Sequence, residues 1–295
     1  MKIAITGTSG LVGYDLWQTL KDQHEVWGIG RKKPDFVSLT QWRTLDIIDL
    51  ETTSQVVSQI NPDCVVHLAA LSNPDDCEKD PTTAYTANAL GTRNLALACQ
   101  RFDTELLYVS TDQVFNGKKK SPYTELDTPD PVNHYGISKL WGEKFVQTLL
   151  RRFYIVRTAL VYGKIRSTFV NRVARCVLEN DPITAATDIV NSPTNSKDLA
   201  LALSILIEKH TYGIYHLVNE GYCSRFELSR FIAQSLGKKA SMIKKGTQTS
   251  LKLPARRPGY CPLENFVWKL NQFPKMRTWQ EAIISFLEEL PELNK

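Results

Sequence analysis

Three glycines near the amino terminus constrain this chain more than any other feature. Gly7, Gly10 and Gly13 stand at Gly-x-x-Gly-x-x-Gly spacing between a β-branched run, residues 2–6, and an amphipathic segment at 11–21. With 15 glycines in 295 residues, chance would supply that spacing only about 0.04 times. A strand that turns through glycine straight into a helix lets backbone amides approach an anion closely. The positive end of the helix then favours the bound charge. In an open α/β sheet this arrangement cradles the pyrophosphate of a dinucleotide. The spacing departs from the commoner Gly-x-Gly-x-x-Gly, and the bland alternative is a tight turn with close strand–helix packing.

The first 160 residues continue the same rhythm, as a doubly wound parallel sheet would. Strands are expected at 2–6, 25–29, 64–68, 106–110 and 154–158, and helices at 11–21, 50–60, 81–100 and 134–150. Beyond Gly163 the alternation weakens. Helices are expected at 167–179, 196–209, 225–236 and 279–290, a loop at 180–195 and one more strand at 213–218. The expected fold is α/β: a Rossmann-type sheet with a smaller carboxyl-terminal substrate-binding lobe. The nucleotide-binding lobe would span 1–163, with 188–218 returning to it, and the smaller lobe 164–187 and 219–295.

Composition narrows the class. No apolar stretch reaches membrane-spanning length, and the chain opens on Lys2-Ile3-Ala4-Ile5-Thr6 without a leader pattern, so a cytoplasmic protein is expected. The six cysteines include no Cys-x-x-Cys pair, which disfavours a zinc knuckle or redox dithiol; no metal site is expected. The net charge of +5 comes in short clusters read as solvated surface, and no nucleic-acid partner is expected.

One cluster has a sharper reading. About twenty residues past the glycines, an NAD enzyme places a carboxylate for the ribose hydroxyls. Here Arg31 follows the second strand, and a guanidinium there can pair with a 2′-phosphate. The cofactor expected is NADP(H), with NAD(H) left open as a second.

Tyr135 and Lys139 stand four apart on one face of the expected helix 134–150. Tyr-x-x-x-Lys alone arises about 0.8 times by chance, so its place in the fold carries the inference. That helix follows the strand ending in Val109-Ser110-Thr111-Asp112, and parallel sheets put their chemistry at the carboxyl ends of strands. A carbonyl accepting hydride needs a proton donor, for which Tyr135 is the candidate. The Lys139 ammonium is expected to lower the phenol's pKa and to hold the nicotinamide ribose. The Thr111 hydroxyl would hydrogen-bond the same oxygen.

These residues resemble the extended short-chain dehydrogenase/reductase family and, within it, the dTDP-4-dehydrorhamnose reductases. The resemblance runs nearly end to end. It is carried by Thr6-Gly-Thr-Ser-Gly-Leu-Val-Gly13, Asn88-Ala-Leu-Gly-Thr-Arg-Asn94, Ser110-Thr-Asp-Gln-Val-Phe-Asn-Gly117, Tyr135-Gly-Ile-Ser-Lys139, Ser192-Pro-Thr194 and Arg256-Arg-Pro258. It implies reduction of the C4 keto group of a nucleotide-linked 6-deoxysugar, with a homodimer left open. Gly10, Leu11 and Val12 would contact cofactor phosphates, Asp46 and Ile47 the adenine, and Ala69, Ala70 and Leu71 would line the cofactor path. Asp112 would lie beside the sugar, and Arg257 would meet the diphosphate.

Two positions depart from the family pattern. Gln113 stands where an aromatic is usual, and Leu160 where a tryptophan contacts the sugar. Related 4,6-dehydratases carry Thr-Asp-Glu at the first position because elimination needs a carboxylate; Gln113 cannot supply it. Two other readings remain: a nucleotide-sugar epimerase or dehydratase, and a non-catalytic subunit like the regulatory subunit of methionine adenosyltransferase, which shares the fold.

Arg31→Asp is expected to weaken NADPH binding by about 1–3 kcal/mol and NADH binding far less, because only NADPH carries the 2′-phosphate. Fluorescence titration of both cofactors checks this; equal losses would reduce Arg31 to surface charge.

Overall fold

The computed structural model describes residues 1–290. β-branched and aliphatic runs form β1 (Lys2–Thr6), β2 (Glu25–Gly30), β3 (Trp42–Thr44), β4 (Cys64–His67), β5 (Glu105–Thr111) and β6 (Phe153–Thr158). With the later strand Gly213–His216 they build a seven-stranded sheet ordered β3-β2-β1-β4-β5-β6-(213–216), parallel throughout. The chain therefore winds outward from β1 in one direction, then returns to add β4 on its other side. The reversal opens a crevice at the carboxyl ends of β1 and β4, where ligands of such sheets bind.

The helices are α1 (Leu11–Leu20), α2 (Leu50–Ile60), α3 (Pro74–Lys79), α4 (Pro81–Tyr85), α5 (Gly91–Arg101), α6 (His134–Leu149), α7 (Phe169–Leu178), α8 (Ser196–Lys209), α9 (Arg225–Ser235), α10 (Phe266–Leu270) and α11 (Trp279–Glu288). Leu16, Trp17 and Leu20 of α1 meet Leu199, Leu203 and Leu206 of α8 on one face of the sheet. Val56, Val57 and Ile60 of α2 meet Leu95, Ala96 and Cys99 of α5 on the other. Both sheet faces are covered, which is why the strands read as continuous apolar runs rather than alternating ones. Among the described residues no helix is long and apolar enough to cross a membrane.

Three local readings need correction. The helix expected at 81–100 is three pieces, α4, a π-turn at Thr86–Leu90 and α5; hydrophobic period alone does not distinguish these hydrogen-bond patterns. The loop expected at 180–195 holds short strands. Ile183–Ala186 pairs with Ile243–Gly246, Val190–Asn191 with Cys223–Ser224, and Thr194–Asn195 with Val161–Tyr162. β3 and α3 went unread, being three and six residues long.

A separate apolar cluster joins Tyr162, Val170 and Val173 to Leu228, Ile232, Trp279 and Phe286. On these clusters we propose the division into a sheet lobe, 1–163 with 188–218, and a smaller lobe, 164–187 and 219 onward. Trp268 and Met276 of the later segment pack into the sheet lobe's cluster. Residues 291–295 of that expected lobe lie outside the described ones.

The seating of α6 depends on Gly136. A Cβ there would stand 2.1 Å from the carbonyl oxygen of Gln113 and 3.0 Å from Pro131 Cβ. The helix start is thus pressed against the turn that follows β5. Gly136→Ala must push the two apart and is expected to cost about 1–3 kcal/mol, read as a lower urea midpoint; an unchanged midpoint would show that the contact yields freely.

Candidate active site

The chain leaves β1 through Gly7, whose φ of +70° is the left-handed region glycine tolerates. A Cβ on Gly7 would lie 2.7 Å from the Ala69 amide nitrogen, and one on Gly13 would lie 2.4 Å from the Gly7 carbonyl oxygen. The turn is therefore packed directly on the chain leaving β4, and the Gly10 amide closes it onto the Gly7 carbonyl at 2.8 Å. Thr6 Oγ1 accepts from the Leu68 and Ala69 amides at 3.2 and 3.3 Å, which ties the two strand ends. Helix α1 begins at Gly10 with no side chain capping it and no acidic residue in its first turn. The amides of Leu11, Val12 and Gly13 have no partner inside the helix. This is the cradle a pyrophosphate fits: backbone donors, no competing carboxylate, and no Cβ in the way.

The remaining residues of the expected cofactor path follow the carboxyl edge of the sheet. Arg31 is exposed directly after β2, whereas Lys33 folds back onto the carbonyls of Pro34 and Val37. Asp46 is exposed. Ile47 is buried beside Gly91, and its carbonyl accepts from Asn94 Nδ2 at 3.1 Å. Beyond β4, Ala69 is half-buried and Ala70 exposed. Leu71 is held from both sides by Asn88, which accepts from its amide at 2.8 Å and donates to its carbonyl at 3.0 Å. The same Asn88 amide group reaches Ser138 Oγ at 3.0 Å, linking this path to α6. These groups fit a phosphorylated dinucleotide.

Thr111 closes β5, donating to Asp112 Oδ1 at 3.1 Å and accepting from the Gln113 amide at 3.2 Å. Asn133 caps α6: its Oδ1 accepts from the Gly136 amide at 2.8 Å, and its Nδ2 donates to Gln113 Oε1 and to the Arg256 carbonyl. The cap fixes where the helix begins, and Tyr135 in its first turn comes near enough to Thr111 for that hydroxyl to act on the phenol. Burial pushes the phenol's pKa above its ordinary value; Thr111 opposes that and the Asp112 charge adds to it. Tyr135 is therefore protonated at neutral pH, the state a proton donor needs.

Lys139 corrects one expectation. Its ammonium lies 4.1 Å from the centroid of the Tyr108 ring, itself tilted against His67, and the net shift of the Tyr135 phenol is upward rather than the fall expected. Burial lowers Lys139 itself to about 7, with Glu143 pulling the other way. Having lost most of its hydration, the lysine sits close to its own titration point on the aromatic floor of the site. Beneath it, Arg157 pairs with Glu143 through two near-parallel contacts of 2.7 and 3.0 Å, and Ser110 Oγ donates to the same carboxylate at 2.6 Å. Both charges are almost wholly buried.

The structure thus brings Thr111, Asp112, Tyr135 and Lys139 to the crevice beside the cradle. The other two substrate positions differ. Leu160 adopts φ +41° and packs on the smaller lobe's apolar cluster. Arg257 is held by Asp75 in a bidentate pair of 2.5 and 2.7 Å, and its guanidinium lowers the Asp75 pKa.

The sequence matches the RmlD substrate binding domain family over residues 1–291. Among curated proteins it is 33% identical to the spore coat polysaccharide biosynthesis protein SpsK of Bacillus subtilis, covering 98% of this chain and 97% of that one. It is 34% identical to a dTDP-4-dehydrorhamnose reductase of Mycolicibacterium smegmatis, covering 96% and 84%. The solved dTDP-4-dehydrorhamnose reductase of Bacillus anthracis, in complex with NADP, superposes with a TM-score of 0.89 at 33% identity, covering 98% and 99% of the two chains. This chain belongs to the RmlD substrate binding domain family. A UDP-glucose 4-epimerase of Thermus thermophilus at 21% identity and a TM-score of 0.83 shares the fold alone.

In this RmlD-family chain, several residues of the site escaped the sequence reading. Asn133 was legible in principle, since asparagine before an expected helix start is a capping signal. Asn88 lay within a recognised motif, but its bridging of Leu71 to α6 depends on long-range packing. Asn191 and Arg225 reach Asp112 only through the two-residue ribbon that pairs Val190–Asn191 with Cys223–Ser224, and so short a pairing leaves no sequence period. Among the described residues no group of three or more His, Cys, Asp or Glu side chains could hold a metal.

Glu143→Leu leaves Arg157 charged and alone in the core and is expected to cost about 3–5 kcal/mol. Adding Arg157→Met should return much of that stability. Urea denaturation of the single and double variants checks it; a double variant as unstable as the single would mean that shape, not charge, governs the site.

Proposed function

We propose that this chain is an NADPH-dependent reductase that converts the C4 keto group of a dTDP-linked 6-deoxysugar to an alcohol, with Tyr135 as proton donor. The observation that carries the reading is the close approach of the capped start of α6, which bears Tyr135, to the end of β5, where Thr111 lies near enough to act on the phenol. The family's named reductases supply the substrate class.

NADPH, when bound, supplies the hydride. The chain's own residues do the rest. Gly7, Gly10 and Gly13 leave room for the pyrophosphate, the Leu11 and Val12 amides bind it, and Arg31 pairs with the 2′-phosphate. Asp46 and Ile47 border the adenine, while Ala69, Ala70 and Leu71 form the wall toward the nicotinamide. Lys139 holds the ribose hydroxyls. Thr111 turns its one O–H from Asp112 to donate to the keto oxygen, and Tyr135 gives that oxygen a proton as negative charge builds there. Asp112 accepts from the sugar. Arg257, anchored by Asp75, faces the diphosphate, and Leu160 borders the sugar without an aromatic platform.

The site also argues against dehydration. Gln113 spends its Oε1 on the Asn133 amide group and offers no carboxylate for elimination.

Tyr135→Phe keeps the ring and removes only the donor. Turnover of dTDP-4-dehydrorhamnose, followed as loss of reduced-nicotinamide absorbance, should fall about 10²–10⁴-fold with NADPH affinity nearly unchanged. A wild-type protein that binds NADPH yet leaves it unoxidised with this substrate would contradict the reading and point to a binding subunit.

A further inference from the structure

Two polar atoms beside Asp112 are buried with nothing to bond. Nη1 of Arg225 and Oδ1 of Asn191 have no hydrogen-bond partner among the described residues. An unpaired buried donor or acceptor destabilises the fold, so two close to one carboxylate call for an explanation. Asn191 pairs with Cys223 in the short ribbon, and Arg225 opens α9 directly after it, its amide donating to the Ile189 carbonyl at 3.1 Å. The Asn191 orientation follows from chemistry: its Nδ2 lies 3.5 Å from Asp112 Oδ2, an ionised carboxylate only accepts, and so Oδ1 faces away. Arg225 is held from behind, its guanidinium 4.7 Å from the centroid of the Phe169 ring.

We propose that Arg225 and Asn191 are specificity residues that together read one hydroxyl of the sugar ring, next to the Asp112 carboxylate. The inference rests on the reductase reading above and assigns a part of its substrate site. An unsatisfied donor and an unsatisfied acceptor that both neighbour Asp112 match a hydroxyl, which accepts from Arg225 and donates to Asn191. A phosphate matches less well: Arg257 and Arg172 also act on Arg225 and would attract an anion, but a phosphate has no proton for Asn191 Oδ1 and would meet the Asp112 charge. The nearby Arg225 guanidinium also opposes the rise in the Asp112 pKa that burial causes, leaving that carboxyl near 6. At neutral pH Asp112 is therefore ionised and can accept a second hydrogen bond from the same ring. The diphosphate is left to Arg257, on the segment that Asn133 ties to the start of α6 through the Arg256 carbonyl.

The test compares dTDP-rhamnose with dTDP, which lacks the sugar, by calorimetric titration of the NADP-loaded protein. Arg225→Met keeps the packing over Phe169, and Asn191→Ala leaves the arginine untouched, so a folding defect in one variant does not remove the test. Each variant should bind dTDP-rhamnose about tenfold to a hundredfold more weakly than wild type, in line with a hydrogen bond to a charged or buried group, and dTDP within twofold. Equal losses for both ligands would make Arg225 a phosphate contact and overturn the proposal. Unchanged affinity for both would mean that water satisfies the two atoms, and would overturn it as well. A wild-type protein that binds neither ligand would refute the dTDP-sugar reading itself, and the hydroxyl assignment with it, a result distinct from any loss confined to the variants.

Discussion

The amino end of α6 rests on the turn after β5, and the site depends on that contact. Strand β5 ends at Thr111, with Asp112 directly after it, and the proposed proton donor, Tyr135, comes to them from the start of α6. The approach is permitted by the missing side chain at Gly136 and locked by Asn133, which caps the helix, binds Gln113 and holds the Arg256 carbonyl. One asparagine thus couples three chain segments far apart in sequence. A shift of about 1 Å at this junction is enough to spoil catalytic geometry.

Burial governs the electrostatics of the crevice. It raises the pKa of Tyr135 and brings Asp112 to about 6 and Lys139 to about 7. The phenol stays protonated, while the carboxyl and the ammonium titrate close to neutrality. Groups whose charge is so finely balanced respond strongly to a neighbour, and a cofactor or sugar placed among them would reset all three. Deeper in the lobe Glu143 and Arg157, both almost wholly buried, pair with one another, and Ser110 adds a hydrogen bond to the carboxylate. That pair lies under β5 and α6 and connects the site to the core.

Much of this was legible in the sequence, for physical reasons that differ by residue. The glycine cradle could be read because few residue types tolerate a turn pressed against a neighbouring strand end. Thr111 followed from the rule that parallel strands end at the chemistry, and Tyr135 with Lys139 from helical spacing. The direction of the Tyr135 shift was not legible, because it depends on how much water the fold excludes rather than on which charge is four residues away. Asn191 and Arg225 were hidden for a related reason: a ribbon of two-residue strands has no period, and only the folded chain carries them to Asp112. The Asp75–Arg257 pair joins residues 182 positions apart and likewise has no local signature.

The central claim is that this crevice moves a hydride onto a sugar ketone. Incubating the protein with NADPH deuterated at nicotinamide C4 on the transferred face, together with dTDP-4-dehydrorhamnose, tests it most directly. Mass spectrometry and NMR of the product should show one deuterium, bonded to C4 of the sugar. Oxidised cofactor with no deuterium at that carbon, or a sugar recovered unreduced when deuterium is supplied on either face, would contradict it.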